Sequence, residues 1–280
     1  MAATASLVST EWLAAHLATP DLKVVDATWY LPTMQREARA EYAEAHIPGA
    51  VSFDIDDIAD ASSQLPHMLP DPVKFSSRVR KLGLGDGTRI VVYDNNRYSA
   101  SARVWWMFRV FGHEDVAVLD GGLGKWRAEG RPVDDRTVVP REAHFSARLN
   151  SLLVRDLEQV RANLVARREQ VLDVRSAGRF AGTEPEPRTG LRAGHIPGSR
   201  NLPYTDLVAA DGTLLPTAAL ERRFAAAGIS MEKPIVTSCG SGVTACTAAL
   251  ALHQIGAPAV AVYDGSWTEW GGRSDTPIES

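Results

Sequence analysis

Residues 235–252, IVTSCGSGVTACTAALAL, contain the features that decide the fold. The β-branched run at 235–237 predicts a buried strand, and a helix-like pattern begins near Thr244. Between them stand Cys239 and a short loop that contains two glycines. A strand, a tight glycine-containing loop and a helix in this order are typical of a parallel α/β sheet.

The same landmarks occur twice in the chain, in the same order and 144 to 149 residues apart. Four motifs of the first half have counterparts in the second half. They are VVDA (from position 24) and VLDV (171), AHIPGA (45) and GHIPGS (194), RIVVYD (89) and PIVTSC (234), and VLDGGLGKW (118) and VYDGSWTEW (262). A repeat of this length indicates a duplicated unit. We therefore predict two tandem homologous domains at 1–138 and 153–280, joined by a linker at 139–152, each with a mostly parallel sheet flanked by helices.

Within each half, short β-branched runs alternate with longer amphipathic segments. They predict central strands at 23–27, 90–93, 116–119, 171–174, 235–237 and 260–263. Ser9 and Asp156, the latter followed by Gln159 three residues on, predict helix starts. Gly112 and Gly256 predict helix ends.

Composition excludes several classes of protein. The 280 residues are 45% hydrophobic and carry 30 basic and 34 acidic side chains, a net charge of −4, so no general attraction to nucleic acid or anionic membranes is expected. Two cysteines do not make a disulfide framework and favour a reducing compartment. No basic signal-like region opens the sequence and no apolar run reaches membrane-spanning length, so we predict a soluble cytoplasmic protein.

The loop after Cys239 has the design of an anion site. Free amides at a helix N-terminus and the positive end of its dipole favour a negative charge, and hence the reactive thiolate of Cys239. The alternative is a buried thiol in the core. A cysteine phosphatase needs an arginine at position 245, which is alanine, and a Walker loop needs a lysine, which is absent. A small anion on the sulfur itself, such as a persulfide, fits better.

The duplicated unit, the two HIPG turns and the loop CGSGVT resemble the two-domain rhodanese superfamily of sulfurtransferases. The loop is most similar to the 3-mercaptopyruvate branch, whereas the thiosulfate enzymes usually place Arg and Lys directly after the cysteine. Gly240 and Ser241 are neutral here, which favours mercaptopyruvate. The resemblance covers nearly the whole chain. It implies a Cys239 persulfide that passes its sulfur to a thiol or cyanide acceptor, with release of pyruvate.

The resemblance also assigns residues around the nucleophile. It implies that Arg179 and Arg188 hold the carboxylate and carbonyl of a 2-oxo acid, for which bidentate arginine is suited. It implies that the loop residues Gly240, Gly242, Val243 and Thr244 contact the substrate. Without the resemblance, the favoured interpretation of both arginines is that they are solvated surface residues, as most of the 30 basic residues are expected to be.

A proton relay is the third expectation from the family. Ser241 would protonate the leaving enolate with support from His67 and Asp56. Asp56 could instead cap a helix, and His67 could be a structural residue. No metal or organic cofactor is implied, and thioredoxin is an acceptor by family analogy only.

Two alternatives remain open: a thiosulfate sulfurtransferase, and a non-catalytic sulfur-binding regulatory module. In the first half Asp94 stands where Cys239 does, so that half should be catalytically silent. His46 and His195 occupy the same HIPG turn in the two halves, including the half without a cysteine, and are therefore interpreted as structural. Cys246 is interpreted as a core residue.

Overall fold

A computed structural model describes residues 5–280 and contains two compact units. The first comprises residues up to Asp60 together with Leu69–Asn150 and Ala210–Leu214. The second comprises Ala61–Met68, Ser151–Ala209 and Leu215–Ser280. Residues 1–4, with which the first predicted domain begins, lie outside the described part.

The first unit has a five-stranded parallel sheet with the strand order β1-β5-β4-β2-β3. Its strands are β1 (Leu7–Val8), β2 (Leu22–Asp26), β3 (Val51–Ser52), β4 (Arg89–Tyr93) and β5 (Val116–Leu119). Its helices are α1 (Thr10–His16), α2 (Ala38–Glu44), α3 (Pro72–Lys81), α4 (Ser101–Val110) and α5 (Gly122–Ala128), with a 3₁₀ turn at Pro32–Met34.

The second unit repeats this arrangement with the parallel order β6-β10-β9-β7-β8. Its strands are β6 (Val154–Arg155), β7 (Gln170–Asp173), β8 (Arg200–Asn201), β9 (Ile235–Ser238) and β10 (Val260–Tyr263). Its helices are α6 (Leu157–Ala166), α7 (Ala177–Phe180), α8 (Thr217–Ala226), α9 (Ala245–Gln254) and α10 (Ser266–Trp270), with 3₁₀ turns at Ser151–Leu153 and Tyr204–Leu207.

The central strands match the prediction to within one residue at each end, and the α/β fold class is confirmed. They are buried because helices cover both faces of a parallel sheet. Ser9 and Asp156 cap their helices as expected, the latter in a reciprocal capping box with Gln159. The four two-residue strands at the sheet edges were not predicted.

Residues 131–150 contain no helix or strand, and their one regular feature is an isolated bridge at Asp134. It runs along the first unit, where the amides of Ala143 and Arg148 donate to the carbonyls of Arg80 and Phe111. Residues up to Asn150 therefore pack with the first unit. The predicted domain limits of 1–138 and 153–280, with their linker at 139–152, stay a prediction.

The two HIPG turns have matching structural roles. His46 exchanges backbone hydrogen bonds with Asp134, and its ring stacks on Tyr42. His195 does the same with Glu279 and stacks on Phe180. Each histidine thus fastens a later segment of its own unit to a turn, as the structural interpretation predicts.

Candidate active site around Cys239

Cys239 is the first residue after β9, at the carboxyl edge of the second sheet, and it is buried. Residues 239–244 form the loop that connects β9 to α9, which we call the cysteine loop. The edge beyond the carboxyl ends of parallel strands is where α/β proteins commonly bind ligands. Cys239 is therefore placed at the end of its sheet that suits a nucleophile.

The outer side of the cysteine loop is fixed by the start of α10. The Ser266 hydroxyl accepts a hydrogen bond from the Cys239 amide at 3.1 Å and donates to the Tyr263 carbonyl at 2.8 Å. The Trp267 amide donates to the Cys239 carbonyl at 3.0 Å, and Thr268 donates to the Gly240 carbonyl through both its amide (2.8 Å) and its hydroxyl (2.6 Å). The backbone around the nucleophile is thereby immobilised.

The inner side of the loop offers donors. Across residues 5–280, the amides of Gly240, Ser241 and Val243 donate no hydrogen bond to a protein acceptor. Ser241 and Val243 are buried and Gly240 is half-buried. Because amides inside folded proteins are nearly always paired, three amides without a protein acceptor in one loop are suited to holding an external anion.

The equivalent loop of the first unit shows what such amides bind. Asp94 is the first residue after β4 and stands where Cys239 stands after β9. Its carboxylate accepts four backbone N–H bonds from its own loop, two on each oxygen, at 2.8 to 3.2 Å, from Asn96, Tyr98, Ala100 and Ser101. The strand–loop–helix of this fold thus forms an anion cradle. In the first unit the chain supplies the anion itself.

An ion-pair network surrounds Arg179, which lies on α7. The Glu186 carboxylate accepts from Arg179 Nε at 3.1 Å and from its Nη2, and from Arg175 Nη1 at 2.6 Å. Arg175 is fully buried, makes a bidentate pair with Asp173 and lies 4.3 Å from the centre of the Trp267 ring. Burial by itself would lower the pKa of Arg175, but Asp173 and Glu186 outweigh it and raise the pKa above its usual value.

The network places Arg179 against the cysteine loop. A Cβ atom on Gly240 would lie 3.0 Å from Arg179 Nη2, closer than ordinary van der Waals contact. Position 240 therefore accommodates glycine because the guanidinium group occupies the adjacent space. The arginine that the sequence nominated does lie beside the nucleophile loop.

Arg188 and His67 are brought together in the second unit. Arg188 Nη2 lies 3.1 Å from His67 Nε2. Because a guanidinium group only donates, His67 Nε2 is the acceptor in this pair. His67 is buried and has a left-handed backbone with φ of 61°. By its contacts His67 belongs to the second unit, although the predicted domain limits assign it to the first.

Asp56 belongs to the first unit, where it is exposed and accepts from the Trp29 indole at 2.8 Å. The relay of Asp56, His67 and Ser241 stays a prediction. Three residues of the site were not predicted: Glu186, Ser266 and Thr268. The sequence held one signal for the last two, since the GSWT of the second half replaces GGLG in the first.

The described residues lack two features that mark other classes of protein. No group of three or more His, Cys, Asp or Glu side chains in residues 5–280 is arranged to hold a metal ion. None of the helices in that range is long and apolar enough to cross a membrane.

Comparison with known proteins gives consistent matches along the chain. The model of the rhodanese-like domain matches residues 9–129 and 156–273. Thiosulfate/3-mercaptopyruvate sulfurtransferase 1, mitochondrial, of Arabidopsis thaliana is 46% identical over 98% of this chain and 78% of its own. The 3-mercaptopyruvate sulfurtransferase of Homo sapiens is 45% identical over 95% of this chain and 91% of its own.

A crystal structure of SseA from Escherichia coli, described as a 3-mercaptopyruvate sulfotransferase with the rhodanese fold, superposes with a TM-score of 0.87. It is 40% identical, and the match covers 94% of this chain and 99% of SseA. The duplicated parallel sheet, the cysteine loop at the edge of only one of the two sheets and these matches agree. The chain belongs to the rhodanese family of sulfurtransferases, with two rhodanese-like domains in tandem.

Proposed function

We propose that this protein is a 3-mercaptopyruvate sulfurtransferase that carries the transferred sulfur on Cys239. This proposal rests on the difference between the loop that follows β4 and the cysteine loop that follows β9. The Asp94 carboxylate accepts hydrogen bonds from four amides in the first unit. At the same place in the second unit stands a thiol, beside amides that have no protein acceptor within residues 5–280. A persulfide anion on Cys239 would take the place that the carboxylate has in the other copy.

The first half-reaction breaks the carbon–sulfur bond of the donor. The Cys239 thiolate attacks the sulfur of 3-mercaptopyruvate, a sulfur–sulfur bond forms, and the electron pair of the broken bond leaves on pyruvate enolate. The enolate then takes a proton on its methylene carbon. We assign that proton to Ser241, two residues after the nucleophile, with His67 and Asp56 as the proposed support.

The donor is held by positive charge outside the loop. Arg179 lies beside Gly240, and Glu186 fixes its orientation. We propose that Arg179 and Arg188 bind the carboxylate and carbonyl of the 2-oxo acid, while Gly240, Gly242, Val243 and Thr244 line the sulfur.

The second half-reaction returns the thiolate. An acceptor thiolate or cyanide attacks the outer sulfur, takes it away and leaves the electron pair on Cys239. Such a double displacement predicts ping-pong kinetics. A thiol acceptor, for example thioredoxin, and a cytoplasmic location stay proposals, since the plant relative is named as mitochondrial.

Thiosulfate is the alternative donor, because the plant relative is named for both donors. The neutral loop favours mercaptopyruvate, since Gly240 and Ser241 add no cation to receive a dianion. The test compares pyruvate formation from mercaptopyruvate with sulfite formation from thiosulfate, each with cyanide as acceptor. We expect a higher kcat/KM for mercaptopyruvate, and faster sulfite formation would reassign the donor.

Two cysteine variants complete the test. Cys239→Ser should abolish both activities, whereas Cys246→Ser, a matched change in the same segment, should retain them. Pyruvate formation at the normal rate by Cys239→Ser would refute the nucleophile.

A further inference from the structure

The carbonyl groups of the cysteine loop are held from outside by side chains as well as by backbone. The Thr268 hydroxyl and amide both donate to the Gly240 carbonyl. The Cys246 thiol, in the first turn of α9, donates to the Gly242 carbonyl at 3.3 Å. The Trp267 amide holds the Cys239 carbonyl.

These contacts set the direction of the amides. A trans peptide is planar, and its C=O and N–H groups point in opposite directions. When the carbonyls of Cys239, Gly240 and Gly242 point outward to α10 and α9, the N–H groups of residues 240, 241 and 243 must point to the other side. Those are the three amides that donate to no protein acceptor within residues 5–280.

The first unit lacks the side chains that make these contacts. The positions of Ser266 and Thr268 are taken there by Gly122 and Gly124, and that of Cys246 by Ala102. The Leu123 amide still holds the Asp94 carbonyl at 3.0 Å, as Trp267 holds that of Cys239. In that unit the Asp94 carboxylate orders the amides from inside. The side-chain ties of Ser266, Thr268 and Cys246 therefore occur in the copy whose loop contains the thiol, and the corresponding residues of the Asp94 copy have no side chain that could make them.

Backbone strain at Ser266 also indicates that side chains hold the cysteine loop in the second unit. Ser266 has φ of 48°, a left-handed conformation that costs a non-glycine residue on the order of 1 kcal/mol. Its counterpart Gly122 has φ of 55°, where glycine adopts it without that cost. The second unit thus accepts a strained serine where glycine would serve, and the hydroxyl it gains holds the Cys239 amide.

We infer that Thr268 and Cys246 are positioning residues, which hold the amides of the cysteine loop toward the sulfur of Cys239 by tying the Gly240 and Gly242 carbonyls outside it. This inference rests on the proposed function, in which the sulfur carries the negative charge. It gives the second cysteine a role without any redox change, since Cys246 only donates a hydrogen bond.

The test uses paired substitutions in the full chain. Thr268→Val and Cys246→Ala remove a donor, while Thr268→Ser and Cys246→Ser keep one. The first readout is the pH profile of iodoacetamide alkylation of sulfur-free protein, with peptide mapping to assign the label to Cys239. The second is the half-life of the Cys239 persulfide, loaded with mercaptopyruvate and left without acceptor.

In Thr268→Val and Cys246→Ala we expect the midpoint of the alkylation profile at higher pH and a persulfide that decays about three to ten times faster, the factor expected for one lost hydrogen bond. Both serine variants should resemble wild type. A midpoint and a half-life equal to wild type in the donor-less variants, whatever their thermal stability, would overturn the inference, as would folded serine variants that fail to restore them. If wild type forms no persulfide, the proposed function fails, and the alkylation profile still tests the loop.

Discussion

Replacement of Glu186 by glutamine should specifically impair donor binding. Glu186 uses one carboxylate oxygen for buried Arg175 and the other for Arg179. Glutamine has a single acceptor oxygen, so its NH₂ group must face one of the two guanidinium groups. Arg175 is fully buried, whereas the Arg179 side chain is 21% exposed and can turn toward water. The amide oxygen should therefore stay on Arg175, and Arg179 should lose its orientation.

The magnitude follows from the contact that is lost. A hydrogen bond between charged groups contributes about 1.5 to 3 kcal/mol, which corresponds to about 10- to 100-fold in an equilibrium constant. If Arg179 must be reordered each time the substrate binds, the affinity for the substrate should fall by a comparable factor. We expect KM for 3-mercaptopyruvate to rise about tenfold or more, with a smaller change in kcat.

Steady-state kinetics with mercaptopyruvate and cyanide, together with thermal unfolding, measure this effect. Glu184→Gln is the matched control, because Glu184 lies in the same loop and accepts from Ser176 at 2.6 Å. A folded Glu186→Gln protein with wild-type KM, or an equal rise in Glu184→Gln, would refute the assignment of Arg179 orientation to Glu186.

Three further predictions concern the loops and the second unit. Gly240→Ala places a Cβ 3.0 Å from Arg179 Nη2, so KM should rise about three- to tenfold, and unchanged kinetics would contradict the close contact. Asp94→Asn turns a donor toward amides that now bind a carboxylate, so urea unfolding should show a loss of about 2 to 4 kcal/mol. Asp115→Asn, which breaks a half-exposed pair with Arg89, should cost less than about 1 kcal/mol, and equal losses in the two variants would contradict the cradle. Burial raises the pKa of Glu269 above 4.5, even though the Tyr263 hydroxyl donates to it at 2.9 Å. The folded protein therefore holds this proton more tightly than the unfolded chain, and the stability advantage of wild type over Glu269→Gln should fall as pH rises above about 4.5. A difference in melting temperature between these two proteins that does not change with pH would contradict this.

The central strands and the duplication could be predicted because β-branched runs and repeated landmarks are local in sequence. The edge strands, such as Leu7–Val8, could not, since two residues show no periodicity and their pairing depends on a neighbouring strand. The helix starts at Ser9 and Asp156 were predictable because a cap and its partner amide lie three residues apart.

The site was predictable where a residue acts alone. Cys239 and Arg179 could be predicted as site residues from the motifs that contain them. Glu186 stands in the polar stretch TEPEPR, where a carboxylate is expected to be solvated. Its pairing with both arginines depends on how the loop after α7 turns back. The use of Asp94 as an internal anion likewise required the positions of its four amide donors.

The most direct test of the account is the mass of the protein after one exposure to 3-mercaptopyruvate without acceptor. We predict one added sulfur, assigned by peptide mapping to Cys239, an equal amount of pyruvate released, and loss of that sulfur on addition of cyanide. Pyruvate released with no added sulfur on Cys239, or sulfur located on Cys246, would contradict the persulfide account.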